Sequence, residues 1–525
     1  MVIFKNTASF VGKMAANFME YARMANPADN VAIAIATIPA GTHLTYQGDQ
    51  LLISDRVLQG FKFAVHAIPH GELVRLYGEP TAIAREDINP GEGVESRLSD
   101  QLPIVRDQIA EDHTQSKPDY FPPEMVSCFQ GIRRSNNRIG TRNYIAIIPT
   151  DPCPGVVGHH IEDYFRRAQL PAGVDGVVYI PFGEGCGASP KRVEVSRRAF
   201  NNYADHPNVG AAIFLENGCG HLPFAEYRPV FENEYSQKSG KPIAWLSFQG
   251  NGCNVAKTRD VGIDMISGIL DKVASVRRSA VSTSELVVGT KCGGSDGLSG
   301  IAGNLAIGYL SDLIVRSGGS VILTEAPEMM GAAHLLARRA RNKDVADAVY
   351  AMVDAYEALA TARGESCGSN PSRGNRAGGL ANIVMKSLGA TIKAGTTRVE
   401  DCVDWGESIG RKGLTLMQGP GDDIESMTGE VASGANVIVF NTGRGTATGN
   451  PIVPVIKLVN TRSRYPDADF FDWAADGLLY GGQSADQVAQ ELLDLVIEVS
   501  SGKRVQAEIH GAREVEIWGD YGVSL

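Results

Sequence analysis

Five cysteines stand just after β-prone apolar runs, and their type and spacing are the first chemical signal in the chain. The runs are "YIAIIP", "GVVYIP", "GAAIFL", "PIAWLS" and "ELVVGT", followed by Cys153, Cys186, Cys219, Cys253 and Cys292. Cysteine thiolates are preferred ligands of iron–sulfur clusters and of zinc. Neighbouring parallel strands end at one sheet edge, so these thiols could converge on a metal centre. Each could also be a small buried residue beside a tight turn, and the pattern leaves both interpretations open.

The glycine-rich turn "KCGGSDGLSG" at 291–300 has three possible uses: a phosphate cradle, a ligand turn or a plain bend. It matches neither the P-loop nor the dinucleotide fingerprint. Asp296 would also repel a phosphate. A metal or cluster ligand at Cys292, with Ser295 and Asp296 as nearby polar groups, fits the residue types better.

Two carboxylates, Glu325 and Glu328, follow another strand-like run in "VILTEAPEMMG". Carboxylates at a strand end can bind a hard cation or act as acid and base. They could also be acidic residues that favour a helix N-terminus. The sequence does not decide between these roles.

Two glycine-rich loops carry cations and amides, which suits a small oxyanion substrate. The predicted substrate-binding residues of "GSNPSRGNRAGG" and "NTGRGTATGNPIVPVIK" are Asn370, Arg373, Asn375, Arg376, Arg444, Thr446 and Lys457, and we add Ser295 and Asp296 from the cysteine turn. Such dense glycine spacing indicates close backbone approach to a ligand.

The elements that position these residues are predicted from the cysteine spacing of 33, 33, 34 and 39 residues, which fits strand-plus-helix units. We predict an α/β protein in which a small all-β module precedes parallel-sheet, Rossmann-like α/β domains. The predicted segments are an N-terminal helical extension (1–28), the β module (29–105), a linker (106–135), an α/β domain that could mediate dimerisation (136–283) and a C-terminal catalytic α/β domain (284–525).

Composition narrows the functional classes. The chain has 525 residues and a net charge of −11, which argues against a general binder of nucleic acid or anionic membranes. No apolar run approaches the roughly 20 residues that span a bilayer. Eight cysteines in a chain of this length fit a reduced cytoplasm better than a disulfide scaffold.

With these motifs in view, the chain resembles the altronate/galactarate dehydratase family of sugar-acid hydro-lyases. The similarity is carried by "KCGGSDGLSGIAGNLAIGYLSDLIVRSGGSVILTEAPEMMGA", "NPSRGNRAGGLANIVMKSLG" and "NTGRGTATGNPIVPVIK". The resemblance implies an N-terminal β-clip (SAF-type) domain. It also implies dehydration of a 2,3-dihydroxy acid to a 2-keto-3-deoxy acid by a cytoplasmic homodimer or larger oligomer that depends on iron.

The site residues follow from the resemblance and the motifs together. We expect iron, as Fe²⁺ or an iron–sulfur cluster, to be ligated by Cys186, Cys219 and Cys292, with Cys153 as a further candidate. Candidates for the general base are Glu325, Glu184 and His221.

The chain also departs from the family pattern. Asn26, Phe61 and Phe182 stand where family members carry histidine, and Gly220 stands where they carry glutamate. A carbon–sulfur lyase acting on a substrate such as sulfolactate, or a paralogue that binds sugar acids without turnover, are therefore alternatives.

Overall fold

A computed structural model of the chain describes residues 16–182, 185–236 and 240–519. These residues form two compact units. One unit contains the chain up to residue 103 together with the short segments 296–298 and 376–381, and the other contains the remainder. In the described part of the chain, every helix is too short or too polar to cross a lipid bilayer.

The first unit is almost entirely β structure. Its elements are β1 (Ala16–Asn17), α1 (Phe18–Tyr21), β2 (Ala22–Arg23), β3 (Val31–Ala34), β4 (Thr42–Tyr46), β5 (Asp49–Ile53), β6 (Lys62–Ala64), β7 (Leu73–Leu76) and β8 (Glu79–Ile83). Two-residue turns join β4 to β5 and β7 to β8, and both turn residues have positive φ, as twisted hairpins require. Residues 1–15 of the predicted helical extension lie outside the described residues, and α1 is its only helix from 16 onward.

The first half of the second unit is built on a four-stranded parallel sheet. This half of the unit contains seven strands in all, which are β9 (Cys128–Arg133), β10 (Ile139–Gly140), β11 (Tyr144–Pro149), β12 (Gly176–Tyr179), β13 (Val209–Glu216), β14 (Ile243–Ser247) and β15 (Arg278–Ser282). Its helices are α2 (Gly155–Arg167), α3 (Pro190–Asp205), α4 (Phe224–Phe231), α5 (Val255–Ser267) and α6 (Leu270–Ala274). The parallel sheet has the order β12-β11-β13-β14, while β10, β9 and β15 form a small antiparallel sheet. Strand β13 is buried along its whole length, because helices cover both faces of a parallel sheet.

The second half of this unit contains a seven-stranded parallel sheet. Its strands are β16 (Val287–Gly293), β17 (Ser320–Leu323), β18 (Val399–Val403), β19 (Gly413–Met417), β20 (Val437–Thr442), β21 (Val455–Val459) and β22 (Trp473–Ala474). Its helices are α7 (Gly303–Arg316), α8 (Ala326–Met329), α9 (Ala333–Arg338), α10 (Lys343–Ala362), α11 (Arg373–Ala377), α12 (Ile383–Thr391), α13 (Asp423–Ser433), α14 (Asp476–Tyr480), α15 (Ala485–Ser500) and α16 (Gln506–His510).

The strand order of this sheet is β18-β19-β17-β16-β20-β21-β22. The chain leaves β16 toward β17 on one side and later returns to β20 on the other. The carboxyl ends of β16 and β20 therefore flank a topological switch point, where open parallel sheets place their ligands. The α/β prediction and the parallel arrangement of this sheet are confirmed.

Candidate active site

A buried thiol and two buried carboxylates meet at the carboxyl ends of β16 and β17. Cys292 lies near the end of β16, and Glu325 and Glu328 follow β17. Their ligand atoms all lie within 4.8 Å of one another, so by geometry the group could hold a metal ion. Glu325 has a φ of 75°, a left-handed conformation that is uncommon for a residue with a side chain and that recurs at functional sites.

Three buried lysines pair with these groups. Lys393 donates to Cys292 Sγ at 2.8 Å, and Lys386 Nζ lies 2.7 Å from Glu328 Oε1. Lys291 donates to Glu325. Full burial of so many charges is tolerated only when the charges are paired.

Burial and neighbouring charges move the two carboxyl pKa values in opposite directions. Burial raises the pKa of Glu325, and the negative charge of Glu328 raises it further. Burial would also raise the pKa of Glu328, but Lys386 and Lys393 outweigh it and hold that pKa below its ordinary value. Two carboxyls whose environments separate their pKa values are the usual basis for assigning acid and base roles.

The thiol of Cys292 is held as the neutral form by the same cluster. Burial, reinforced by the charge of Glu328, raises its pKa, while Lys393 opposes the shift. With both carboxylates and the thiolate charged, the donor set would carry three negative charges, which three lysines already balance. A divalent cation here would have to displace Lys393 from the sulfur and Lys386 from Glu328.

Asp423 connects this buried cluster to the surface. It begins α13, whose N-cap Asp422 accepts from two backbone N–H groups, and its Oδ1 lies 3.1 Å from Lys291 Nζ. The side chain of Asp423 is 24% exposed. A Cβ on Gly293 would overlap Asp423 Oδ2, so the glycine at the end of β16 permits this close approach.

The glycine-rich loops predicted to bind an oxyanion do meet around the end of β16. Ser295 Oγ donates to Cys292 Sγ at 3.3 Å, and Asn375 Nδ2 donates to the Ser295 carbonyl at 2.8 Å. Arg444 Nη1 donates to the Gly374 carbonyl at 3.0 Å, which joins the loop after β20 to the start of α11. Both loops therefore border the switch point.

The other predicted loop residues take different positions. Asn370 is buried and accepts from Lys386 at 2.8 Å, while Arg373 is exposed. Thr446 is half-buried, and its N–H donates to Thr442. Lys457 is buried on β21, where Nζ donates to Thr448 Oγ1 at 3.1 Å, and burial lowers its pKa to about 7.

Several predicted residues stand outside this cluster. Asp296 and Arg376 belong to the first unit, in which Asp296 Oδ1 accepts from the Leu298 N–H. Glu184 lies outside the described residues, and His221 is exposed in the turn after β13.

The predicted cysteine ligands divide into two settings. Cys292 is enclosed by its carboxylates and lysines. Cys153, Cys186 and Cys219 are exposed thiols beyond the ends of β11, β12 and β13. A centre shared by Cys292 with Cys186 and Cys219 stays a prediction.

Sequence reasoning missed the three lysines that balance the charge of the cluster, which are Lys291, Lys386 and Lys393. It also missed two acidic neighbours, Asp423 and the buried Glu430, whose pKa burial raises. A lysine two positions from the end of a buried strand was the available signal for Lys291. No local pattern marks Lys393, because its partner Cys292 is 101 residues away in the chain.

Three family models match successive parts of the chain. The description "Altronate/galactarate dehydratase SAF domain" matches residues 21–100, and "D-galactarate dehydratase/Altronate hydrolase, second domain" matches residues 131–274. "D-galactarate/Altronate dehydratase, C-terminal" matches residues 283–523. The chain belongs to the altronate/galactarate dehydratase family. The first unit is accordingly an SAF-type domain, and the predicted family is confirmed.

Full-length relatives agree with this family. Altronate dehydratase of Bacillus subtilis (strain 168) is 31% identical over 503 residues, which cover 95% of this chain and 98% of the relative. Galactarate dehydratase (L-threo-forming) of Escherichia coli (strain K12) is 32% identical over 492 residues, which cover 91% of this chain and 92% of that relative. The beta subunit of (2R)-sulfolactate sulfo-lyase of Chromohalobacter salexigens is 29% identical over 392 residues, which cover 74% of this chain and 96% of that relative. The dehydratases are hydro-lyases, and the prediction of an enzyme of this class is confirmed.

Proposed function

We propose that this enzyme dehydrates a sugar acid of the altronate or galactarate type to a 2-keto-3-deoxy acid. The observation that carries the proposal is the buried pair Glu325 and Glu328, whose pKa values shift in opposite directions beneath the glycine-rich loops. A dehydratase needs a group that accepts the proton from the carbon next to the carboxylate, and a carboxyl with a raised pKa beside fixed charges suits that role. The names of the dehydratase relatives point to the same substrate class.

The reaction balances as follows. The proton on C2, next to the carboxylate, passes to a base, and the C3–O bond breaks as the hydroxyl leaves with a proton as water. The resulting enol gains a proton at C3 and loses its hydroxyl proton to solvent, which gives the 2-keto acid. We assign the base role to Glu325, whose raised pKa suits proton uptake near neutral pH. Glu184 and His221 remain the other predicted bases.

Lys291 is proposed to hold a fixed positive charge beside Glu325. Burial would lower the pKa of Lys291, but Glu325 and Asp423 outweigh burial and raise that pKa. Lys291 contacts Glu325 on its buried side and the partly exposed Asp423 on the other. Lys393 keeps a positive charge beside both carboxylates. This arrangement would stabilise negative charge that develops on the substrate as the proton leaves.

The substrate carboxylate is proposed to bind at the exposed arginines of the loops. Arg444 and Arg373 offer guanidinium donors, which bind carboxylates in a bidentate manner. Ser295 and Thr446 can supply hydroxyl contacts to the substrate. Asn370, Asn375, Lys457, Asp296 and Arg376 remain predicted substrate contacts.

Iron is the proposed cofactor, and when bound it would supply Lewis acidity toward substrate oxygens. Two groups of side chains in the chain could provide ligands for the iron. The set of Cys292, Glu325 and Glu328 has its charge balanced by lysines, which disfavours a further cation. The exposed thiols of the four-stranded sheet carry no such lysine pairing among the contacts described, and soft thiolate donors suit iron.

The test is an anaerobic turnover assay. Iron-loaded protein would be incubated with a panel of aldonates and aldarates, and 2-keto-3-deoxy acids would be detected chemically and by mass spectrometry. We expect product from at least one member. Absence of product from every member, with iron content verified, would contradict the proposal.

Sulfite elimination from sulfolactate is the second candidate, favoured by the match to 96% of a sulfo-lyase subunit. The same preparation would be given sulfolactate, and released sulfite would be measured. Sulfite release without sugar-acid dehydration would favour the second candidate over the first.

We propose that the SAF-type domain is a β-clip and that the seven-stranded sheet is Rossmann-like, which its central switch point supports. We also propose a cytoplasmic homodimer or larger oligomer. The free thiols of the described cysteines support a reducing compartment, and light scattering during gel filtration would measure the oligomeric state.

A further inference from the structure

A cavity of about 300 Å³ lies beside the amino ends of β11 and β12, within the second unit. Tyr144 and Gly176 begin these two strands, and both line the cavity. The other walls are the last turn of α2, with Arg166, and the segment that contains α16 and reaches Arg513. The volume suits a small organic ligand. Cys292 and its two carboxylates follow the carboxyl ends of other strands and do not line this cavity.

The cavity borders an edge strand. β12 pairs with β11 on one side, and among the described residues no strand pairs with its other edge. Val177 and Val178 of β12 line the cavity, and both residues are buried. Buried backbone N–H and C=O groups need hydrogen-bond partners. The free edge of β12 therefore offers donors and acceptors that a ligand with several hydroxyl groups could satisfy.

The two carboxylates in the cavity wall already have donors. Glu508 accepts from Arg142 Nε at 2.7 Å and Nη2 at 2.8 Å, and from the Tyr144 hydroxyl at 3.2 Å. Asp175 Oδ2 accepts from the Asn143 N–H at 2.6 Å. Arg142 is buried and does not line the cavity, so it neutralises Glu508 from behind the wall. These carboxylates therefore give a cationic ligand little attraction.

The arginines in the wall favour an anion. Arg166, Arg504 and Arg513 line the cavity with only two acidic residues, so its lining is positive in a chain of net charge −11. Arg166 and Arg513 both pair with Glu162, which lies outside the lining. Arg504 is exposed, its Nη2 donates to the Glu508 carbonyl at 3.0 Å, and no carboxylate of the described chain pairs with it. Its planar guanidinium suits a carboxylate.

We propose that this cavity is a second binding site, which takes a small polyhydroxylated carboxylate with its carboxylate on Arg504 and its hydroxyl groups on the free edge of β12. The inference goes beyond the proposed function, because binding here needs no turnover. A ligand in the cavity would bridge α2 and the segment around α16. It would raise the free energy of unfolding by mass action.

The test is hydrogen–deuterium exchange of the full chain, read by mass spectrometry, with D-galactarate as the probe. The Glu325→Gln background removes the proposed base, so that the probe is not consumed. We expect slower exchange in the peptides that contain β12 and α16, and the dependence of this protection on ligand concentration gives a dissociation constant. Hexanedioate has the same carbon chain and both carboxylates but no hydroxyl groups, and it should bind more weakly.

Two pairs of variants locate the site. Arg504→Met should raise the dissociation constant about 10- to 100-fold, whereas Lys503→Met, at an exposed neighbour outside the lining, should match the parent. Ala168→Trp should block the cavity, because Ala168 is an exposed residue of the lining. Gln169→Trp is its control, since Gln169 is exposed outside the lining. Far-UV circular dichroism would verify that each variant is folded.

Five outcomes would overturn the proposal. One is unchanged exchange in β12 and α16 at every galactarate concentration, and another is an unchanged dissociation constant in folded Arg504→Met or Ala168→Trp. Equally tight binding of hexanedioate would contradict recognition of the hydroxyl groups. Equal protection by inorganic sulfate would show an adventitious ion only. Protection without ligand that disappears on dilution would show that a second copy of the chain covers this edge.

This proposal and the proposed function can fail separately. Protection of β12 by galactarate in protein that dehydrates no sugar acid would uphold the second site and contradict the function. Dehydration by the parent with no protection of β12 would uphold the function and overturn the second site.

Discussion

Lys393 Nζ lies 2.8 Å from Cys292 Sγ, and both side chains are enclosed by protein. The same lysine lies 3.6 Å from Glu325 and 4.0 Å from Glu328. The ammonium group of Lys393 therefore lies among the three side chains that a metal ion would need as ligands. This relationship favours proton transfer over metal binding as the chemistry of the buried cluster.

Lys393→Met should destabilise the protein strongly. Removing one partner of a buried charge network leaves the remaining charges unpaired, which costs about 3–5 kcal/mol. Urea unfolding would measure the loss. Lys412→Met is the matched control, because Lys412 pairs with Glu285 at the surface and should change the free energy of unfolding by less than about 1 kcal/mol. Equal effects of the two substitutions would contradict the account.

Glu325→Gln should lower kcat while the protein stays folded. Glutamine resembles the neutral carboxyl that the raised pKa favours, so the packing of the cluster is kept. Loss of a general base lowers kcat about 10²–10⁴-fold. Steady-state kinetics on the active sugar acid would test this, with the surface variant Glu285→Gln as the control. Unchanged kcat in folded Glu325→Gln would remove this residue from the mechanism.

Gly293→Ala should disturb the contact between Lys291 and Asp423. The added methyl would overlap the Asp423 carboxylate, and overpacking of this kind costs about 1–3 kcal/mol. The melting temperature and kcat should both fall. Gly410→Ala is the control, since a Cβ there meets nothing within 4 Å. A variant as stable and active as the parent would show that the close approach is unimportant.

Arg444→Met should raise KM more than it lowers kcat. A charge-assisted hydrogen bond to the substrate carboxylate contributes about 1.5–3 kcal/mol, which corresponds to roughly a 10- to 100-fold change in KM. Arg411→Met provides a surface arginine for comparison. If Arg444 only joins the two loops through Gly374, the melting temperature would fall and KM would not change.

Lys457 should make stability depend on pH above neutrality. Burial lowers its folded pKa to about 7, although Asp423 and Glu514 oppose the shift. The unfolded chain then holds the proton more tightly than the folded chain between about pH 7 and 10.4, so this residue makes stability rise with pH in that window. The stability of the parent relative to Lys457→Met should increase by up to about 2–3 kcal/mol from pH 7 to 9. A difference independent of pH would contradict the buried, neutral lysine.

The strand ends were predictable because buried parallel strands are continuous apolar runs. "ELVVGT" before Cys292 and "VILT" before Glu325 mark β16 and β17 in this way. Glycines after such runs also identified the loops that meet around Ser295 and Arg444. Each of these features is formed by residues that are neighbours in the sequence, so a sequence pattern is enough to predict it.

The charge balance of the cluster could not be predicted in the same way. Lys386 and Lys393 lie on and just after α12, within an otherwise apolar stretch, and nothing nearby in the chain indicates their partners. Strand order decides which strand ends become neighbours, and spacing alone does not give that order. Sequence reasoning therefore grouped Cys292 with the other strand-end thiols, whereas the structure surrounds it with lysines and glutamates.

The most direct test of the central claim is proton NMR of the reaction in D₂O. Anaerobic, iron-loaded enzyme would be given each aldonate and aldarate of the panel. The account predicts loss of the C2 proton and a 2-keto-3-deoxy product that carries one solvent deuterium at C3, with both changes strongly slowed in Glu325→Gln. Intact C2 protons and no keto acid across the whole panel would contradict it.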